Sequence, residues 1–107
     1  MKRLSHRDRL KLMKFVCSFA WADFEVQDEE RVYVHKLVKR LHLEPEEAKQ
    51  VEGWLKLPPR PEEVDPNTVP LEHRQRFLDE VKGLVESDGK VTPEEKENLR
   101  LFAALLR

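Results

Sequence analysis

The chain repeats itself at a shift of 65 residues, and that repeat limits its possible folds more than any other feature. ADFEVQDEE (Ala22–Glu30) falls on SDGKVTPEE (Ser87–Glu95). In that register Asp23 meets Asp88, Val26 meets Val91, Glu29 meets Glu94, Glu30 meets Glu95 and Leu41 meets Leu106. Val34 and Leu37 meet Leu99 and Phe102 downstream, and Val16 and Phe19 meet Val81 and Leu84 upstream. A repeat on this scale marks a supersecondary unit used twice. The unit reads helix, acidic turn, helix, with its apolar positions in step.

Apolar spacing predicts five helices. Ser5 caps a helix running to about Ala22, with Leu12, Met13, Val16, Cys17, Phe19 and Ala20 inward. A second runs from about Asp28 to about His42, with Val34, Leu37, Val38 and Leu41 on one face. LEPEEAKQVEGWLKLPP is a third, with Pro45 in its first turn, Ala48, Val51 and Leu55 inward, and Pro58 and Pro59 as its stop. A fourth covers about Leu71 to Ser87, with Phe77, Leu78, Val81, Leu84 and Val85 inward. The fifth starts after Thr92-Pro93-Glu94-Glu95, a capping-box sequence, and faces Leu99, Phe102, Ala103 and Leu106 to the core. Residues 57–70 hold five prolines and read as an extended loop over the core. No strand pattern occurs. The expectation is a single all-α domain, 1–107, of about five helices packed as two pseudo-repeated helix–acidic turn–helix units.

Each acidic turn has a local physical explanation. An aspartate ending a helix can accept bonds from turn N–H groups, and a valine in mid-turn anchors the loop. Glutamates in a helix's first turn meet the positive end of its dipole, and Glu30 and Glu95 can close a cap. The two turns differ where Gly89 follows Asp88 but Phe24 follows Asp23. A left-handed conformation there suits glycine, so Phe24 implies a different turn and becomes a candidate partner contact.

These residues resemble the tellurite-resistance TerB-like family, which includes the amino-terminal domain of DjlA-type membrane-linked cochaperones. The family motif is a small residue, DG, a charged residue, an aliphatic, a helix cap and xEE. SDGKVTPEE matches it, and ADFEVQDEE matches apart from Phe24. The resemblance implies an all-helical, non-enzymatic module of stress-response assemblies, often at the inner face of a membrane. It also implies candidate divalent-metal ligands at Asp23, Glu29, Glu30, Asp88, Glu94 and Glu95.

Other chemistries fit less well. An EF-hand counted from Asp88 has Lys90, Thr92 and Leu99 at its third, fifth and twelfth places, and the count from Asp23 also lacks the closing glutamate. The four histidines lack paired zinc spacing; His35 and His42 share a face that reads as solvent. There is no phosphate-cradling glycine loop and no nucleophile motif, so an enzyme is not expected. Cys17, the one cysteine, excludes an intrachain disulfide and sits in an apolar run as a small core residue. That run after a basic start imitates a signal peptide, but cleavage would remove a helix the repeat requires.

Net charge is −1, which argues against nucleic acid as a partner. Residues 1–14 carry six basic side chains and Asp8, so +5, leaving −6 for the rest. The basic first helix could touch an acidic lipid surface. The expected function is that of a cytoplasmic, optionally membrane-associated, protein-interaction module using an acidic face built from both turns. The alternative is a divalent-cation sensor using the same carboxylates.

Overall fold

The computed structural model describes residues 4–21, 26–87 and 93–106. Five α-helices carry the chain: α1 (His6–Ala20), α2 (Asp28–Arg40), α3 (Pro45–Lys56), α4 (Arg74–Glu86) and α5 (Pro93–Leu105). Among the described residues there is no strand. The sequence-derived helices are all present, most ending within two residues of expectation.

Two differences have local causes. The fourth helix begins at Arg74 rather than Leu71, because Leu71–His73 form a 3₁₀ turn closed by the His73 N–H on the Pro70 carbonyl. The proline-rich connection is also less extended than expected. It contains 3₁₀ turns at Pro61–Glu63 and Pro66–Thr68. Asp65 shapes the second: its Oδ1 accepts the Asn67 N–H at 2.9 Å and its carbonyl accepts the Thr68 hydroxyl at 2.7 Å. Buried Pro59 and Val69 pin the loop to the core.

The helix ends follow from side chains near them. Ser5 Oγ accepts the Asp8 N–H at 3.1 Å and starts α1. Glu30 and Glu47 each reach back to the N–H three residues earlier, on Gln27 and Glu44, at 2.9 Å. At the end of α2, His42 takes φ 54°, so its N–H meets the Lys39 carbonyl and the Leu43 N–H meets the Val38 carbonyl. These are the paired bonds of a Schellman ending.

α1 is the central helix, packing against α2, α3 and α4. Leu12, Met13, Val16, Cys17 and Ala20 are buried as expected. Phe15 is buried too, although the amphipathic stripe did not include it. Its ring lies 5.6 Å from that of Phe77 in an edge contact and 5.5 Å from that of Phe102. Phe19 adds a third approach to Phe102, at 5.0 Å. α3 closes the other side, where the Trp21 indole donates to the Trp54 carbonyl at 2.8 Å.

Some contacts recur at the 65-residue shift seen in the sequence. Arg9 donates through Nε to the Leu4 carbonyl and through Nη1 to the Leu41 carbonyl. Arg74, 65 residues later, donates through the same nitrogens to Val69 and Leu106, themselves 65 residues after Leu4 and Leu41. Asp8 and His73, another pair at that shift, face each other at 3.6 Å where the starts of α1 and α4 meet.

Candidate functional site

The sequence-derived candidates divide into three groups. Asp23, Phe24 and Asp88 lie outside the described residues, as do the two turns that carry them. Glu30 and Glu95 are buried, at 4% and 3% exposure. Glu30 is engaged in the cap of α2. Glu29 and Glu94, one position earlier on each helix, are exposed. A one-residue step turns a helical side chain by about 100°, so adjacent glutamates face the core and the solvent respectively. Among the described residues, no group of three or more His, Cys, Asp or Glu side chains is placed to hold a metal ion.

Among the described residues of the basic start, Arg9, Lys11 and Lys14 are engaged within the fold. Arg9 holds two carbonyls, Lys11 donates to the Thr68 carbonyl at 3.1 Å, and Lys14 lies 3.9 Å from Glu63 and 5.6 Å above the Trp54 ring. Arg7 stays exposed on this helix. Among the described residues, no helix is long and apolar enough to cross a membrane.

Cys17 is fully buried, and burial pushes its thiol up to about 12, with the Glu52 charge adding. A protonated, inaccessible thiol is neither a nucleophile nor a metal ligand. His35 and His42 are exposed as expected, and His35 pairs with Glu52 across the α2–α3 surface.

The α2–α4 seam holds a polar cluster that no sequence motif announced. Tyr33 on α2 lies over Gly83 on α4. A Cβ at Gly83 would fall 2.3 Å from the tyrosine oxygen, so only glycine permits this approach. The Tyr33 hydroxyl stands 3.0 Å from the Glu80 carbonyl and 3.1 Å from Glu80 Oε1, sharing its one proton between them. Burial first, then the Glu80 carboxylate, raises Tyr33 to about 12. Glu80 is itself buried, with Arg40 Nη2 3.5 Å from Oε1 and Arg76 Nε 3.5 Å from Oε2. Oε2 makes no hydrogen bond, so Arg76 balances its charge without satisfying its lone pairs. The hint in the sequence was Gly83, an expensive residue in mid-helix unless something lies against it.

Both this seam and that between α1 and α5 carry an opening: one of about 350 Å³ lies beside Tyr33, between Glu29, Val32 and Lys36 of α2 and Ser87 at the end of α4. A cleft of about 240 Å³ lies between Phe15 and Ser18 of α1, Asn98, Leu101 and Leu105 of α5, and Pro66 of the proline loop. Leu101 and Leu105 are 48% and 54% exposed at its mouth. Comparison of the chain with protein-family models, with curated proteins and with solved structures gives no match.

Proposed function

We propose that this domain is a non-enzymatic protein-interaction module whose acidic face is presented by the starts of α2 and α5. One observation carries the reading. Glu29 and Glu94 occupy matching places in the two units and are exposed, while their neighbours Glu30 and Glu95 are buried. The buried member of each pair serves the fold. The exposed member adds only about 0.3–1 kcal/mol of dipole stabilisation, so its charge is available to a partner. The resemblance to TerB-like modules supports the setting, a cytoplasmic stress-response or membrane-associated assembly. In such a setting the acidic face would make the contact.

Capture by in-cell crosslinking tests this, comparing the wild-type chain with Glu29→Lys/Glu94→Lys. The reading requires the double variant to lose the captured proteins while keeping its melting temperature within a few degrees. An unchanged set of captured proteins would remove the acidic face from consideration.

A further inference from the structure

We infer that the groove between α4 and α5 receives an amphipathic helix of a protein partner, one whose apolar face is flanked by carboxylates. This is a second surface, opposite in sign to the acidic face and independent of it. An opening of about 330 Å³ lies along the seam, with Leu78, Leu99 and Ala103 half-buried in it and Lys82, Lys96 and Arg100 exposed around it. Every charged side chain that lines it is a cation. The α1–α5 cleft is lined by no charged side chain, and the opening beside Tyr33 by one of each sign.

The first half of the chain shows what such a seam carries. At the 65-residue shift, Leu78, Lys82, Leu99 and Arg100 answer Met13, Cys17, Val34 and His35. Met13, Cys17 and Val34 are fully buried. An amphipathic helix, α3, packs on α1 with Val51 and Leu55 buried. It sets Glu52 on His35 of α2, and near enough to Cys17 for its charge to raise the thiol. The matching opening in the second half is lined from α4 and α5 alone, so no third helix enters it.

Charge names the occupant. Cys17 and His35, the residues that Glu52 approaches, are answered by the cations Lys82 and Arg100. A carboxylate in the corresponding place on an incoming helix would meet both. Among the described residues, no ion pair involves Lys82 or Lys96. Arg100 pairs with Glu97 on its own helix, an exposed contact of the kind that holds little energy. Lys82 is longer than Cys17, but a lysine stem lies along apolar surface while its ammonium reaches outward. The half-buried leucines favour a helix over a bilayer or a nucleic acid. Side chains projecting from a helix reach into a groove. A flat lipid surface meets only its rim, and a phosphate backbone makes no use of apolar side chains.

The test titrates a synthetic alanine-based helical peptide into the full chain and follows it by NMR. The peptide carries two leucines one turn apart and a glutamate beside each. It is expected to shift the resonances of Leu78, Lys82, Leu99 and Ala103. Glutamine in place of its glutamates, or alanine in place of its leucines, should weaken binding about tenfold. Lys82 and Arg100 are exposed, so Lys82→Glu/Arg100→Glu should keep the melting temperature within a few degrees while weakening binding by a similar factor. Lysine in place of the peptide's glutamates should restore binding to that variant.

The proposal is overturned if the glutamate peptide fails to bind, if the glutamine peptide binds as tightly, or if the double variant keeps full affinity. Phosphatidylserine vesicles that shift these resonances where the peptide does not would overturn it in favour of a lipid surface. Self-association of the wild-type chain in sedimentation, abolished in Lys82→Glu/Arg100→Glu, would overturn it by making the occupant a second copy. Failure here, with captured proteins still lost in Glu29→Lys/Glu94→Lys, removes the helix groove and leaves the acidic-face reading standing.

Discussion

Arg9 and Arg74 hold the same place in the two halves of the fold. Each donates Nε to the carbonyl five residues before it and Nη1 to the carbonyl 32 residues after it. The near carbonyl belongs to the strap leading into the unit's first helix. The far one belongs to the residue just past its second helix, where carbonyls lack helical partners. One guanidinium thereby joins the beginning of each unit to its end. Hydrogen bonds from charged donors are worth about 1.5–3 kcal/mol, so Arg9→Ala and Arg74→Ala should each lower unfolding free energy by about 2 kcal/mol. Lysine has no fork to span both carbonyls, so Arg9→Lys should recover less than half of that in urea titration. Full recovery by lysine would mean that charge alone, not the two-pronged geometry, does the work.

Gly83→Ala should destabilise the domain by about 1–3 kcal/mol, the usual range for overpacking, because the new methyl meets the Tyr33 oxygen at 2.3 Å. The sign should reverse once Tyr33 is removed. In a Tyr33→Ala background the space is open, and alanine should gain about 0.5–1 kcal/mol over glycine from helix propensity. A double-mutant cycle read by thermal unfolding measures this coupling. Additive effects would show that Tyr33 moves aside freely.

His42→Gly should raise stability. His42 closes α2 at φ 54°, a region that costs a side-chain-bearing residue about 1–2 kcal/mol. Glycine removes that strain and gives back part of it as chain entropy, for a net gain of about 0.5–1 kcal/mol. Equilibrium denaturation checks it, with His42→Val as the control expected to lose stability.

The sequence disclosed the fold more fully than the site, for identifiable reasons. Helix spans came from 3.6-residue spacing and from caps such as Ser5, both local. Phe15 escaped because α1 is covered by three helices, so its buried arc is wider than one amphipathic stripe. Glu80 escaped because a buried carboxylate is recognisable only by its neighbours, and these come from positions 33, 40 and 76. The repeat was visible in the turns, yet side chains at matching places differ, with Tyr33 answered by Asn98 and Gly83 by Ser18. What each seam admits depends on side chains from both of its helices, and spacing along the chain does not contain that.

Stability should fall from about pH 9 upward. Cys17 is raised from 9.0 to about 12 and Tyr33 from 10.0 to about 12. Both groups are neutral when protonated, so the native state holds these protons more tightly than the unfolded chain does. The resulting stabilisation is complete below pH 9 and is lost as pH rises through the folded-state values. Denaturant midpoints at a series of pH values check this. Cys17→Ala should delay the onset of the fall, and Tyr33→Phe should remove its later part. A midpoint unchanged up to pH 11 would contradict both the burial of Cys17 and the seat of Tyr33 against Glu80.

Glu29 and Glu30 are adjacent, and their substitutions should separate structural acid from available acid. Glu30 accepts the Gln27 N–H at 2.9 Å and is buried, so Glu30→Ala should cost about 1 kcal/mol, the typical worth of a helix cap. Glu29 is exposed, so Glu29→Ala should cost no more than about 0.5 kcal/mol. The same contrast should hold between Glu95 and Glu94. Run in chelator-treated buffer, the experiment also addresses the cation alternative. A capping carboxylate gives its full stabilisation without metal, because its partner is a backbone N–H. A carboxylate that binds metal is the reverse: without the ion it contributes little, and with the ion its removal lowers the melting temperature. The capping geometry of Glu30 predicts the first pattern, with calcium, magnesium and zinc leaving the Glu30→Ala difference unchanged. A difference that appears only on adding one of these ions would return Glu30 to the role of ligand.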